Sequence, residues 1–334
     1  MSRYAAVHAN PQGVGDSRPT ALQIVENEGM AGKLDGKVVV ITGVSSGLGV
    51  ETVRAMAATG ATLYLTARDL DKAKAALSEI FNPETMHLVQ MDQASLDSVR
   101  NAAKSILAKT DRVNILINNA GIMAVPDLQL TVDGYEAHFA TNHLSHFLFF
   151  QLLKSAMLAG TSPEFQSRVV NMASSGHRAG GINPSDNYHY QKGDYNPSLA
   201  YVQSKTANIY MANEIERRFG SLGLHATSVH PGGIATGLGR HLPAEYLQSL
   251  YQNQDLIKMF KNPEQGAATS VWAAIGKEWE GRGGRYLSDC AEAMPGEDDM
   301  NVWSATSVSY TYSPENEARL WKDSLHMVGL SDDL

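Results

Sequence analysis

The chain has little that would tie it to a membrane, a nucleic acid or an oxidising compartment. Cys290 is its only cysteine, so no internal disulfide can form and a reducing, cytoplasmic setting is expected. No apolar run reaches the roughly 18 residues that mark a transmembrane helix. The start, Met1-Ser2-Arg3-Tyr4, lacks the apolar stretch of a signal peptide. Positive charge is scarce: 27 Lys and Arg stand against 35 Asp and Glu, a net charge of −8. That balance argues against nucleic acid or an anionic membrane as the main partner. Internal repeats and low-complexity tracts are absent as well.

What is present is an ordinary apolar fraction, 43%, arranged in alternating strand-like and helix-like stretches. Strands are expected at 37–42, 62–67, 86–91, 113–118, 168–173, 224–230 and 284–288. Helices are expected at 47–59, 69–80, 95–108, 132–158, 198–219 and 263–276. Such β-α alternation implies a parallel sheet with helices on both faces. Residues 1–35 precede this core. Their segment 11–19 reads as extended and 19–25 as a short helix. The extension is expected to pack on the body or on a partner subunit, the alternative being a disordered tail.

The first strand-like run, Lys37 to Thr42, leads into Gly43-Val44-Ser45-Ser46-Gly47-Leu48-Gly49 and then into a helix-like stretch. Strand, glycine turn and helix in that order make a dinucleotide-binding context. Glycines let the backbone approach a pyrophosphate, and a helix N-terminus offers free N–H groups. The spacing is G-x-x-x-G-x-G rather than the commonest fingerprint, and a glycine-rich turn without a ligand is the plainer reading of the motif alone. The fold expected from both observations is α/β: a single doubly wound Rossmann-type domain of about seven parallel strands, spanning 36–334.

Tyr201 and Lys205 stand four apart in a helix-like run, which places them on one face about 5–6 Å apart at Cβ. A free phenol titrates near pH 10. A nearby ammonium favours the phenolate and lowers that value, making the pair a general acid/base near neutrality. A solvated surface pair is the bland alternative.

With these motifs in order, the chain resembles the short-chain dehydrogenase/reductase superfamily over about residues 36–290. The T-G-x-x-x-G-x-G pattern is Thr42 to Gly49, N-N-A-G is Asn118 to Gly121, and Y-x-x-x-K is Tyr201 to Lys205. The strand-end serine is Ser174, the helix asparagine Asn142, and the late P-G is Pro231-Gly232. The resemblance implies a hydride-transferring oxidoreductase with Asn142, Ser174, Tyr201 and Lys205 as catalytic residues. Tyr201 would move the proton and Ser174 would donate to the substrate oxygen. Lys205 would hold the nicotinamide ribose, and Asn142 a water leading to Lys205. It implies cofactor contacts from Gly43, Ser45, Ser46, Gly47, Leu48 and Gly49 at the phosphates, and from Asn119, Ala120 and Gly121 along the cleft. Pro231, Gly232 and Thr236 would lie near the carboxamide, and Asp92 near the adenine, although Gln93 stands where an apolar residue is more usual. Arg68 favours NADP(H), because Asp69 is placed to open the next helix. The alternative is a surface Arg68.

Other residues compete for notice. Ser175 rivals Ser174. Tyr188, Tyr190 and Tyr195 lack a lysine four later and read as walls of an insertion, about 177–198, which His177 and Arg178 open at the pocket edge. His138, His143 and His146 share one helix, but no cysteine or carboxylate cluster completes a metal site, so packing and hydrogen bonds are expected and no metal. The segment 237–262, with Leu238, Leu242, Tyr246, Leu250, Tyr251, Ile257, Met259 and Phe260, reads as a substrate lid or as an amphipathic helix burying its own core face. Insertion and lid resemble those of retinol-dehydrogenase-like and protochlorophyllide-reductase-like members. A light-driven reductase is unexpected with Cys290 alone. The expected partner is a bulky apolar carbonyl or alcohol. An idle dinucleotide-binding scaffold or redox sensor is the alternative of a different class. Family members commonly form dimers or tetramers, and Phe147 to Phe150 offer an apolar stretch suited to an interface.

Overall fold

In the computed structural model, residues 2–332 are described, and their centre is one eight-stranded sheet. Its strands are β1 (Val38–Thr42), β2 (Thr62–Ala67), β3 (Met86–Gln90), β4 (Ile115–Asn118), β5 (Ser167–Met172), β6 (Leu224–His230), β7 (Arg285–Ser288) and β8 (Ala291–Glu292). The order is β3-β2-β1-β4-β5-β6-β7-β8, with seven strands parallel and β8 antiparallel. Central strands β4 and β5 are buried at every position, as continuous apolar runs covered on both faces must be. The short β8 is an addition to the seven expected strands. Its turn holds Asp289 and Cys290 at φ of 53° and 50°.

The helices are α1 (Ala5–His8), α2 (Ala21–Asn27), α3 (Leu48–Ala58), α4 (Leu70–Ala76), α5 (Leu96–Leu107), α6 (Ser145–Gly160), α7 (Pro197–Phe219), α8 (Ala244–Gln252), α9 (Gln254–Met259), α10 (Pro263–Gly266), α11 (Ala268–Ile275) and α12 (Pro314–Met327). One apolar core joins the sheet to α5, α6, α7 and α12, and a second joins its other face to α2, α3 and α11. The strand order reverses between β1 and β4, and ligands of doubly wound sheets bind in the crevice at that point.

Three expectations change. The helix expected at 132–158 starts later, and its first turn, Phe139–Leu144, is π-wound. Helix α12 was not foreseen. Its Trp321 packs edge-on against Phe147 at 4.9 Å and Phe150 at 6.3 Å. All four residues Phe147 to Phe150 are fully buried within the chain, so that stretch gives no argument for a subunit interface. The N-terminal extension packs on the body: Ile24 and Val25 of α2 are fully buried, and Thr20 caps that helix in a capping box with Gln23.

Candidate active site

The glycine turn follows from β1 ending at Thr42. The Thr42 hydroxyl oxygen accepts the backbone N–H groups of Asn119 and Ala120, each at 3.0 Å. The Asn119 amide donates back to the Thr42 carbonyl at 2.8 Å. The N-N-A-G segment is thereby laid against the turn, so closely that a Cβ on Gly43 would stand 2.7 Å from Ala120. A Cβ on Gly49 would stand 2.1 Å from the Gly43 carbonyl oxygen. Gly47 is the N-cap of α3; it has φ +58° and brings no capping side chain, so the start of α3 keeps N–H groups without a side-chain partner, free to face an anion. Thr236 comes across from the other side of the crevice and would meet a Gly47 Cβ at 3.4 Å. This cradle fits a dinucleotide pyrophosphate.

At the end of β2, the two candidate residues divide. Asp69 accepts the Lys72 backbone N–H at 2.9 Å as the N-cap of α4. Arg68 is exposed, and its side chain makes no hydrogen bond or ion pair among the described residues. Asp92 accepts the Ala94 N–H at 3.0 Å.

The second half of the site is built on β5, α7 and the π-wound turn. Asn196 caps α7, and Pro197 opens it. Ser174 ends the extended segment after β5; its hydroxyl oxygen accepts the Gly176 N–H at 3.0 Å, and a Cβ on Gly176 would stand 3.2 Å from that oxygen and 3.6 Å from the Tyr201 ring. Lys205 Nζ lies 5.7 Å from the Tyr201 ring centre and donates to the Met172 carbonyl at 3.0 Å. Asn142 holds the Ile122 backbone at both ends, accepting its N–H at 2.8 Å and donating to its carbonyl at 3.0 Å. A Cβ on Gly121 would stand 3.1 Å from the Asn142 amide oxygen and 3.5 Å from Lys205 Nζ. The residues chosen from sequence thus converge: Asn142, Gly121, Lys205, Tyr201 and Ser174 form one wall. Ser175 turns away and donates to the Val302 carbonyl at 2.6 Å.

Electrostatics departs from expectation. Burial pushes the Tyr201 phenol up to about 12, with the neighbouring Ser174 hydroxyl opposing it. Burial also pushes the Lys205 ammonium down to about 7. Burial disfavours the charged form of each group, so the direction at Tyr201 is upward rather than downward.

Several contributors were not legible beforehand. Arg178 is buried and binds the segment 297–307 through the carbonyls of Asn301, Glu297 and Thr306 and the Asp299 carboxylate. That segment carries Trp303, which lies 6.1 Å from Phe260 and against Gly233. Lys261, paired with Asp289 at 2.7 Å, supports Gly232 from below. His138 donates from Nδ1 to the buried Glu136 at 2.7 Å, with its ring 6.3 Å from that of Tyr201. Tyr195 donates to the Val125 carbonyl, whereas Tyr188 stacks on Phe139 and hydrogen-bonds Asp323 of α12. Helices α8 and α9, in the segment read as a lid or an amphipathic helix, bury no residue; Tyr246 and Tyr251 are 43% and 51% exposed. A groove of about 740 Å³ at the β3 edge, lined by His87, Asn101 and Lys109, contains none of these residues.

Fold and site together define a doubly wound α/β protein whose glycine turn fits a dinucleotide, with a serine, a tyrosine and a lysine gathered beside it. The sequence pattern of the short chain dehydrogenase family matches residues 37–247, and the chain belongs to that family of oxidoreductases. It is 46% identical to the short-chain dehydrogenase/reductase prx1 of Penicillium roqueforti, covering 99% of this chain and 96% of that protein. It is 37% identical to retinol dehydrogenase 11 of Mus musculus, covering 90% and 89%. A crystal structure of a protein from Mycobacterium Paratuberculosis superposes with a TM-score of 0.67 at 28% identity, covering 90% of this chain and 96% of that one. Among the described residues no helix is long and apolar enough to cross a membrane, and no three His, Cys, Asp or Glu side chains converge as a metal site.

Proposed function

We propose that the protein is an NADP(H)-dependent oxidoreductase that interconverts a carbonyl and an alcohol on a bulky apolar small molecule, with Tyr201 as general acid/base. The observation that carries this reading is the meeting of Ser174, Tyr201 and Lys205: a Cβ on Gly176 would lie 3.2 Å from Ser174 Oγ and 3.6 Å from the Tyr201 ring, and Lys205 Nζ lies 5.7 Å from the centre of that ring. A nicotinamide dinucleotide supplies the hydride when bound. The cradle from Gly43 to Gly49, with Asn119 to Gly121 and Thr236, would hold it, and Lys205 faces the same cleft beside Gly121. Charge grows on the substrate oxygen during reduction, and Ser174 Oγ and Tyr201 Oη are the donors placed to meet it. Tyr201 then passes its proton to that oxygen. A phenol held up near 12 stays protonated at neutral pH, which suits reduction; in the reverse direction Tyr201 must first lose that proton.

NADP(H) follows from the division at β2: Asp69 is committed to its cap, and the free Arg68 guanidinium suits a 2′-phosphate. The open hydroxyls of Ser45 and Ser46 add donors at the same end. The substrate class rests on the unburied apolar faces of α8 and α9, on Phe260 and Trp303, and on a relative named for retinol. A cytoplasmic location belongs to the proposal, and the unpaired Cys290 thiol suits it.

The test is NADPH consumption by wild type and Tyr201→Phe across a panel of bulky aldehydes and ketones, with NADH in parallel. Turnover by wild type, reduced about 10²–10⁴-fold in the variant with cofactor affinity intact, supports the reading. Equal turnover by the variant overturns the mechanism. Tight NADPH binding with silence across the panel favours the idle scaffold.

A further inference from the structure

His146 is buried on α6 and touches three parts of the site at once. Its Nε2 lies 2.9 Å from the Thr42 hydroxyl and 3.1 Å from the Gln93 amide nitrogen. Its Nδ1 lies 2.9 Å from the Asn142 backbone carbonyl. Counting donors fixes the tautomer. The Thr42 oxygen already accepts two backbone N–H groups, so its own proton points to His146 Nε2. Gln93 Nε2 is a donor as well. Nε2 must therefore be bare, and the ring proton sits on Nδ1 and is donated to Asn142. A doubly protonated ring would set Nε2–H against two donors. Burial and the nearby Lys205 both hold His146 neutral.

The two ends of this bridge belong to different halves of the site. Thr42 anchors Asn119 and Ala120 against the glycine turn. Asn142 belongs to the π-wound turn, where carbonyls no longer aim at the N–H four residues on, and the His146 ring supplies a donor to one of them. Gln93, the residue out of keeping with an apolar position, thereby gains a partner.

Resting on the reading above, we propose that His146 is a positioning residue: neutral and protonated on Nδ1, it ties the dinucleotide cradle at Thr42 and Gln93 to the backbone of the catalytic asparagine, Asn142. It touches no reacting atom, and its effect passes through Thr42 on one side and Asn142 on the other.

The two ends can be cut separately. His146→Asn keeps a donor at the Nδ1 position and loses the reach to Thr42; NADPH affinity should weaken by about tenfold, one hydrogen bond's worth, with kcat within about threefold. His146→Gln keeps an acceptor near Thr42 and loses the donor to Asn142; kcat should fall about tenfold with NADPH affinity little changed. Loss of the same parameter in both variants, or of thermal stability alone, overturns the proposal. Nitrogen NMR of the cofactor-free wild type, with histidine labelled and the His146 signal assigned by its absence in His146→Asn, reads the tautomer without any turnover. A bare Nε2 that does not titrate between about pH 5.5 and 8 is expected. An Nε2–H tautomer, or titration in that window, overturns this inference alone, whereas failure of NADPH to bind wild type would sink the parent reading.

Discussion

The Lys205 ammonium donates a 3.0 Å hydrogen bond to the Met172 carbonyl, which also receives the Asn208 amide at 3.0 Å. The carbonyl therefore keeps a partner if Lys205 is removed. The lysine itself is held well below its ordinary value, at about 7, by burial. Between about 7 and its unfolded value near 10.4, the unfolded chain keeps a proton that the folded chain releases. Folding is thus hindered by this group at neutral pH, and the hindrance fades as pH rises through that window.

Lys205→Met should accordingly abolish turnover and raise stability. At pH 7 the gain should be about 1–2 kcal/mol, and it should shrink toward zero as the pH approaches about 10. Thermal unfolding of wild type and variant at several pH values checks the sign. A variant less stable than wild type at neutral pH would show that the Met172 bond outweighs the desolvation of the charge.

Arg68 and Asp69 should separate cleanly. Arg68→Ala removes the unpaired guanidinium and should raise KM for NADPH by about 10–100-fold, with NADH little affected. Asp69→Ala removes the cap on Lys72 and should reduce stability by about 1 kcal/mol without changing the cofactor ratio. Steady-state kinetics with both cofactors, beside thermal melts, gives both readouts. A changed NADPH/NADH ratio in Asp69→Ala would mean that its carboxylate, not its neighbour, reads the ribose.

Gly49 and Gly181 make a matched pair. A Cβ on Gly49 meets the Gly43 carbonyl at 2.1 Å, and backbone cannot move aside. Gly49→Ala should lower stability by about 1–3 kcal/mol and remove dinucleotide binding. Gly181→Ala has open space around it and should stay within about 0.5 kcal/mol of wild type. Cofactor fluorescence titration and melting curves compare the two.

What could be read from sequence was local. The buried strands announced themselves as apolar runs, and Tyr201 with Lys205 by helical spacing. Asp69 as a helix cap followed from its place just ahead of the helix-like stretch. The π-wound turn at Asn142 could not be read, because one extra residue in a helical turn leaves hydrophobic periodicity almost unchanged. Trp303 comes against Gly233 and Phe260 in a segment that Arg178 binds by carbonyls more than a hundred residues further along the chain, and no local pattern records that. Helix α12 did leave a signal: Pro314 near its start, and Leu320, Trp321, Ser324 and Leu325 on one buried face. With that helix overlooked, the apolar run at Phe147 looked free for a partner subunit.

The N-terminal extension reaches the end of α9 through Arg18. This guanidinium is only 4% exposed and is fixed by Asp16 at 2.8 Å. It donates to the carbonyls of Met259 at 2.9 Å, Lys258 at 3.3 Å and Phe260 at 2.6 Å, where α9 ends and its last carbonyls lack helical partners. A fork of donors across three successive carbonyls ties the end of α9 to the N-terminal extension. Arg18→Met should leave those carbonyls unpaired and reduce stability by about 2–4 kcal/mol. Because α8 and α9 bury nothing of their own, the loosening should concentrate there: faster proteolysis within 244–259 and a several-fold higher KM for bulky substrates, with NADPH affinity unchanged. Arg18→Lys keeps the charge without the fork and should recover less than half of the loss. If KM stays at the wild-type value while stability falls, Arg18 serves the fold alone and the lid is held by other contacts.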